Sequence, residues 1–154
     1  MLIVLSLIGC KENSRDHVFS MNTATRPEKE LEQLILQKGD ASAYYELSIQ
    51  YLDYGYERFL PFALIMANKY NYPQAYFDVY SCLTDLYGCY MDEELYLLDE
   101  TTQKMAIEYL QEGSLKGHSQ SRETLGEYYM QGIYFEKDTI LGKELIKQSE
   151  NLPY

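Results

Sequence analysis

The sequence predicts an all-α fold, a short solenoid of antiparallel helix pairs with about seven helices. The stretch 104–132 has the pattern of one helix, a tight turn at Gly117 and a second helix. Small residues would let these two helices approach closely, and they recur at Ala106, Gly113, Ser121 and Gly126.

The spacing of small residues along the chain supports the same fold. Ala75 lies 32 residues after Ala43, and Ser121 lies 46 residues after Ala75, all in the same helical phase. Helix-pair repeats have periods of this size.

The second helix of the stretch 104–132 carries a specific motif. Ser121 is followed by Leu125-Gly126, Tyr129, Gly132 and Asp138, the spacing of a Sel-one-like repeat in which alanine usually takes the first position. The chain therefore resembles the Sel-one-like family, relatives of the tetratricopeptide repeat, over residues 43–151. The resemblance implies a right-handed α-solenoid whose work is binding another protein.

Helix boundaries follow from capping and turn residues. Thr25 and Glu28 have capping-box spacing around Pro27, which predicts a first helix that ends at Gly39-Asp40. The remaining predicted starts are, in chain order, near Ala41, at Pro61, after Asn71-Tyr72-Pro73, at Ser119 as an N-cap, and at Asp138.

The N-terminal segment resembles a bacterial lipoprotein signal, because an apolar run ends in the lipobox-like Leu7-Ile8-Gly9-Cys10. The run is too short to span a bilayer, lacks preceding basic residues and is followed at once by polar residues. We expect a signal peptide over 1–10 with Cys10 lipidated, a flexible tether over 11–25 and a helical repeat domain over 26–154. We then expect the protein to face the periplasm and to be attached to the membrane by its lipid anchor only. The outer membrane is favoured over the inner membrane. The alternative is a buried N-terminal strand with an incidental cysteine.

An acidic, aromatic insertion between about residues 88 and 100 separates the last two repeats. Long insertions in repeat proteins often contribute to one binding face, so we expect it to contact a partner. A weak cation site built from Asp92, Glu93 and Glu94 is disfavoured, because calcium loops need alternating oxygen ligands and a turn glycine that this stretch lacks.

The pairing of Cys82 with Cys89 stays open. Seven residues of continuous helix would hold the two thiols too far apart, so a disulfide would require the helix to break near Gly88.

Composition excludes some classes of function. The formal net charge of -11 opposes a nucleic-acid partner and suits a basic protein partner. The chain has only two histidines, and His118 is expected at the surface of an inter-helix turn. A nucleophile elbow, a phosphate-binding glycine loop and a zinc-ligand cluster are all missing from the sequence, so we predict no catalytic residue, metal site or cofactor.

These observations favour a non-catalytic, protein-binding lipoprotein of the cell envelope. The resemblance adds a narrower hypothesis, an immunity protein that neutralises a toxic effector such as a type VI phospholipase. Two alternatives remain, a cell-envelope enzyme or glycan-binding protein using the acidic insertion, and a cytosolic repeat scaffold. The expected partner contacts are exposed tyrosines and insertion residues: Tyr44, Tyr76, Tyr90, Asp92, Glu93, Glu94, Tyr96 and Tyr128.

Overall fold

The computed structural model describes residues 25–51, 58–84 and 95–151, and over these ranges the chain is all-α, with no strand. The predicted signal, the tether up to residue 24 and most of the acidic insertion lie outside the described residues. The described helices are α1 (Glu28–Lys38), α2 (Ala41–Tyr51), α3 (Leu60–Tyr70), α4 (Pro73–Thr84), α5 (Glu100–Leu115), α6 (Ser119–Gln131) and α7 (Thr139–Ser149). A single helical turn at 95–97 precedes α5. Of the described helices, none is both long and apolar enough to cross a membrane.

Three short turns join α1 to α2, α3 to α4 and α5 to α6, so these helices form three pairs. Each turn contains a residue in the left-handed region, namely Gly39 (φ 63°), Asn71 (φ 53°) and Gly117 (φ 84°). Such a residue closes one helix and redirects the chain, so the next helix begins within two residues. The predicted ends at Gly39 and Gly117 and the predicted starts near Ala41, Pro61, Pro73 and Asp138 are confirmed.

Two capping predictions are wrong. Thr25 does not form a capping box with Glu28; its hydroxyl instead donates to Oε1 of Glu46 on α2 at 2.7 Å. Ser119 is the first residue of α6, and the N-cap is His118, whose Nδ1 accepts the Ser121 N–H at 3.2 Å.

The helices pack mainly against their neighbours along the chain. Within the described residues α1 packs on α2, α3 on α4, α4 on α5, α5 on α6 and α6 on α7. The exception is α3, which has more contact with α1 than with α2. The residues predicted to be equivalent, Ala43, Ala75 and Ser121, are the third residues of α2, α4 and α6 and are fully buried. These three residues therefore hold matching buried positions. The predicted packing of each of the three helices on the next one is found for α4 and α6 and is wrong for α2, which packs on α1.

A pair of glycines lies at the contact between the last two helices. A Cβ added to Gly126 on α6 would lie 2.8 Å from the carbonyl oxygen of Gly142 on α7, and one added to Gly142 would lie 2.6 Å from that of Gly126. Side chains at these positions would force the backbones apart. The sequence motif thus marks a real helix contact at Gly126.

Candidate functional site

A chain of hydrogen bonds, which we call the polar chain, links the second helices of all three pairs. Tyr44 on α2 donates its hydroxyl to Oδ2 of Asp78 at 2.6 Å, and Nε2 of Gln74 donates to Oδ1 of the same carboxylate at 2.9 Å. The other end of the Gln74 amide lies 2.8 Å from Nε2 of His118, and Nδ1 of His118 lies 3.0 Å from the hydroxyl of Ser121. The polar chain therefore runs from α2 through α4 to the start of α6.

The direction of these bonds fixes the protonation of the histidine ring. Because Gln74 donates its amide to Asp78, its carbonyl oxygen must accept from Nε2–H of His118. Nδ1 is then the acceptor for the Ser121 N–H, which identifies the neutral Nε2–H tautomer. Burial lowers the pKa of His118 below its usual value of 6.5, in agreement with a neutral ring.

Asp78 is a partly buried carboxylate in an aromatic setting. Burial raises its pKa above the usual 3.8, and the bonds from Tyr44 and Gln74 act in the opposite direction. Burial, followed by the charge of Asp78, raises the pKa of Tyr44 well above 10. Both carboxylate oxygens accept a hydrogen bond, and these two bonds favour the ionised form of Asp78.

A cavity of about 330 Å³, the tyrosine pocket, opens beside Asp78. It is lined by Tyr44, Tyr45, Ser48, Tyr72, Gln74 and Asp78. The rings of Tyr44 and Tyr72 are nearly perpendicular, at 83°, with centroids 5.6 Å apart, so they form adjoining walls. Tyr45 lies at the exposed side of the pocket.

A larger concave surface, the leucine groove, lies between α5, α6 and α7 and has a volume of about 620 Å³. It is lined by Glu108, Gln111, Glu112, Ser114, Leu115, Leu125, Tyr129, Leu141 and Leu145. The Tyr129 ring is held in place by Phe135, on which it stacks with centroids 4.5 Å apart. Leu115 stands exposed at one edge, beside the carboxylates of Glu108 and Glu112.

The predicted exposure of three tyrosines is wrong. Tyr44, Tyr76 and Tyr128 are only 1%, 6% and 2% exposed. Each hydroxyl has an internal partner, since Tyr44 donates to Asp78, Tyr76 bonds Asn71 at 3.3 Å, and Tyr128 lies 2.5 Å from the hydroxyl of Tyr80. A buried tyrosine with a satisfied hydroxyl packs between helices and offers no anchor to a partner.

Tyr96 is the predicted contact residue that the structure places at the surface. Its hydroxyl accepts the backbone N–H of Tyr134 at 3.3 Å, so it lies against the α6–α7 loop. The other predicted insertion contacts and two of the cysteines lie outside the described residues: Tyr90, Asp92, Glu93, Glu94, Cys10 and Cys89.

His118 does not lie at the surface of a turn as predicted; it is partly buried and bridges α4 and α6. The position of His118 within the repeat could have predicted its place at the start of α6. Asp40, Tyr72 and His118 each stand three residues before the equivalent third residue of α2, α4 and α6. Asp40 caps α2 by accepting the Ala43 N–H at 2.8 Å, and His118 performs the same capping task in α6.

The polar chain has serine, histidine and a carboxylate but not the geometry of a hydrolase triad. Gln74 stands between His118 and Asp78, and Ser121 is fully buried, so no substrate reaches its hydroxyl. In the part of the chain that the structure describes, no three His, Cys, Asp or Glu side chains are placed to hold a metal ion together. No family model, curated protein or solved structure matches the chain.

Proposed function

We propose that the protein is a protein-binding module that does no chemistry of its own and takes an amphipathic, basic segment of a partner into the leucine groove. The observation that carries this proposal is the groove itself, an apolar depression of about 620 Å³ between α5, α6 and α7 with two carboxylates at its edge. Four leucines and Tyr129 supply its apolar surface.

Leu115 is the strongest candidate anchor in that groove. It is exposed in the isolated chain, and fully burying a leucine side chain stabilises a complex by about 1.5–3 kcal/mol. A partner side chain that covers Leu115 would also meet the apolar lining behind it.

The charge at the groove edge favours a basic partner. Glu108 and Glu112 are four residues apart on α5, and Leu115 follows Glu112 by three, so all three share one face of that helix. Lys104 lies 3.8 Å from Glu108 in an exposed ion pair, which leaves the Glu112 carboxylate for a partner. Lysines that flank an apolar face of the partner would meet these carboxylates.

We also propose the wider setting that the sequence predicts: a lipid anchor at Cys10, a periplasm-facing position and a solenoid of Sel-one-like pairs. The matching third residues of α2, α4 and α6, with a left-handed residue in each preceding turn, support a repeat origin. An immunity protein that sequesters a basic toxic effector is the specific role that fits these features. A cell-envelope enzyme or glycan-binding protein and a cytosolic scaffold remain the alternatives.

The test is to express neighbouring open reading frames in the periplasm with and without this protein. We expect one neighbour to be toxic alone and harmless when the protein is co-expressed. If no neighbour is toxic, or if toxicity persists on co-expression, the immunity role fails.

A matched pair of variants tests the groove separately. Leu115 is 77% exposed and lines the groove, whereas Ile140 is 81% exposed and does not line it. Leu115→Glu should abolish protection or capture of the partner, and Ile140→Glu should leave both unchanged. Equal behaviour of the two variants would show that the partner binds elsewhere.

A further inference from the structure

The tyrosine pocket combines a partly buried carboxylate with aromatic walls. Asp78 lies in its lining, and Tyr44, Tyr45 and Tyr72 surround the same space. Its volume of about 330 Å³ falls at the lower end of the range of small-ligand pockets, about 300–1,000 Å³. The leucine groove is lined by entirely different residues, so any ligand here would be a separate one.

The carboxylate of Asp78 has no basic partner within the described ranges. The ion pairs found there are Arg26 with Glu46 and Lys104 with Glu108, and neither involves Asp78. A charge that is withdrawn from water and hydrogen-bonded but not neutralised is costly, and a bound cation would offset that cost. The raised pKa of Asp78 reflects the same cost, with burial as its main cause.

We propose that the tyrosine pocket binds an alkylammonium group, with the ammonium on Asp78 and the rings of Tyr45 and Tyr72 beside it. Aromatic faces attract cations, and aromatic cages are a known means of recognising ammonium ligands. The favoured source is a lysine side chain of a polypeptide; a free small amine has the same chemistry. This inference does not depend on occupation of the leucine groove.

The two hydrogen bonds that Asp78 accepts leave lone pairs that suit an ammonium donor. Tyr44 donates one hydrogen bond to Oδ2 and Gln74 donates one to Oδ1, so each carboxylate oxygen already accepts one bond. A guanidinium prefers both oxygens at once in a bidentate fork, whereas an ammonium is a compact donor that can use one remaining lone pair. A calcium ion needs about six to eight oxygen ligands, and the pocket lining offers one carboxylate.

The test uses the full chain with isotopic labels on the tyrosine rings, titrated with n-butylammonium and with a short neutral-ended peptide containing one lysine. We expect saturable shifts of the Tyr44, Tyr45 and Tyr72 ring signals, assigned with Tyr→Phe variants. The same peptide with norleucine in place of lysine should cause none. If n-butylammonium binds and the peptide does not, the pocket is supported and its ligand is a free amine.

Two variants and one matched control make the result decisive. Tyr45 is 66% exposed and should be replaceable without unfolding the chain, and Tyr96, 59% exposed and outside the pocket lining, is its matched control. Tyr45→Ala should weaken binding about two- to fivefold, as expected for an exposed cation–π contact, while Tyr96→Ala should not. Asp78→Asn should weaken it at least about tenfold. Equal shifts with norleucine, an unaffected Tyr45→Ala variant or the absence of saturable shifts would overturn the proposal.

Discussion

The bond between Tyr44 and Asp78 joins two polar groups from different helix pairs. Removing the hydroxyl by Tyr44→Phe leaves Asp78 with the Gln74 bond alone. We expect the free energy of unfolding to fall by about 1–3 kcal/mol, because a partly buried carboxylate loses one of its two donors. Urea unfolding at neutral pH measures this. Tyr45→Phe, on an exposed ring, is the control and should stay within about 0.5 kcal/mol of the parent.

His118 makes stability depend on pH. Its folded-state pKa is lowered by burial, so the unfolded chain takes up a proton before the folded chain does as pH falls below about 6.5. Stability should therefore be fully present above about pH 6.5 and decline below it. Asp78 has a raised pKa, so its contribution to the pH dependence has the opposite sign.

Unfolding midpoints in urea, measured at about pH 7.5 and about pH 5.5, check this dependence. His118→Asn is the informative variant, because asparagine also caps a helix but does not titrate in this range. We expect the variant to lose less stability on acidification than the parent. An equal loss in both proteins would assign the pH dependence to other groups.

Residue environments were the least predictable part of the candidate site. The chain has 17 tyrosines, and their helical phase alone does not distinguish a ring that packs inside from one that faces solvent. Tyr44 and Tyr128 are internal, and their hydroxyls are satisfied by Asp78 and Tyr80, which are distant in sequence. Such pairings depend on tertiary packing and leave no local signal.

At the scale of helices, the contact between α6 and α7 depends on Gly126. Gly126→Leu should lower the free energy of unfolding by about 1–3 kcal/mol through overpacking. This loss outweighs the gain of up to about 1 kcal/mol from replacing glycine within a helix. Thermal unfolding measures it, with Glu123→Leu on the exposed side of α6 as the control. An unchanged melting temperature for Gly126→Leu would mean that the two helices separate without cost.

Helix boundaries were predictable because glycine, proline and asparagine interrupt the pattern at Gly39, Pro61, Asn71 and Gly117. The cap of α6 was not, because histidine is not among the usual N-cap residues. The leucine groove was not predictable either. It forms where α5, α6 and α7 meet, and the sequence pattern does not give the separation of α5 from α7.

For the molecule as a whole, excess negative charge is the dominant electrostatic feature. The net charge is -11, and the described ranges contain two ion pairs. Like charges spread over a compact surface repel one another and destabilise the folded state. Salt shortens the reach of this repulsion, since the Debye length falls from about 10 Å at 0.1 M to about 3 Å at 1 M.

We therefore expect the melting temperature to rise as sodium chloride is increased from about 0.1 M to about 1 M. Replacing three exposed carboxylates, by Glu112→Gln, Glu123→Gln and Glu136→Gln, reduces the net charge from -11 to -8 and should reduce the salt-induced rise. Glutamine keeps the size and polarity of each side chain, so the comparison isolates charge. A melting temperature that falls with salt would show that attractive pairs outweigh the repulsion. An equal rise in both proteins would assign the effect to the salt's action on apolar surface instead.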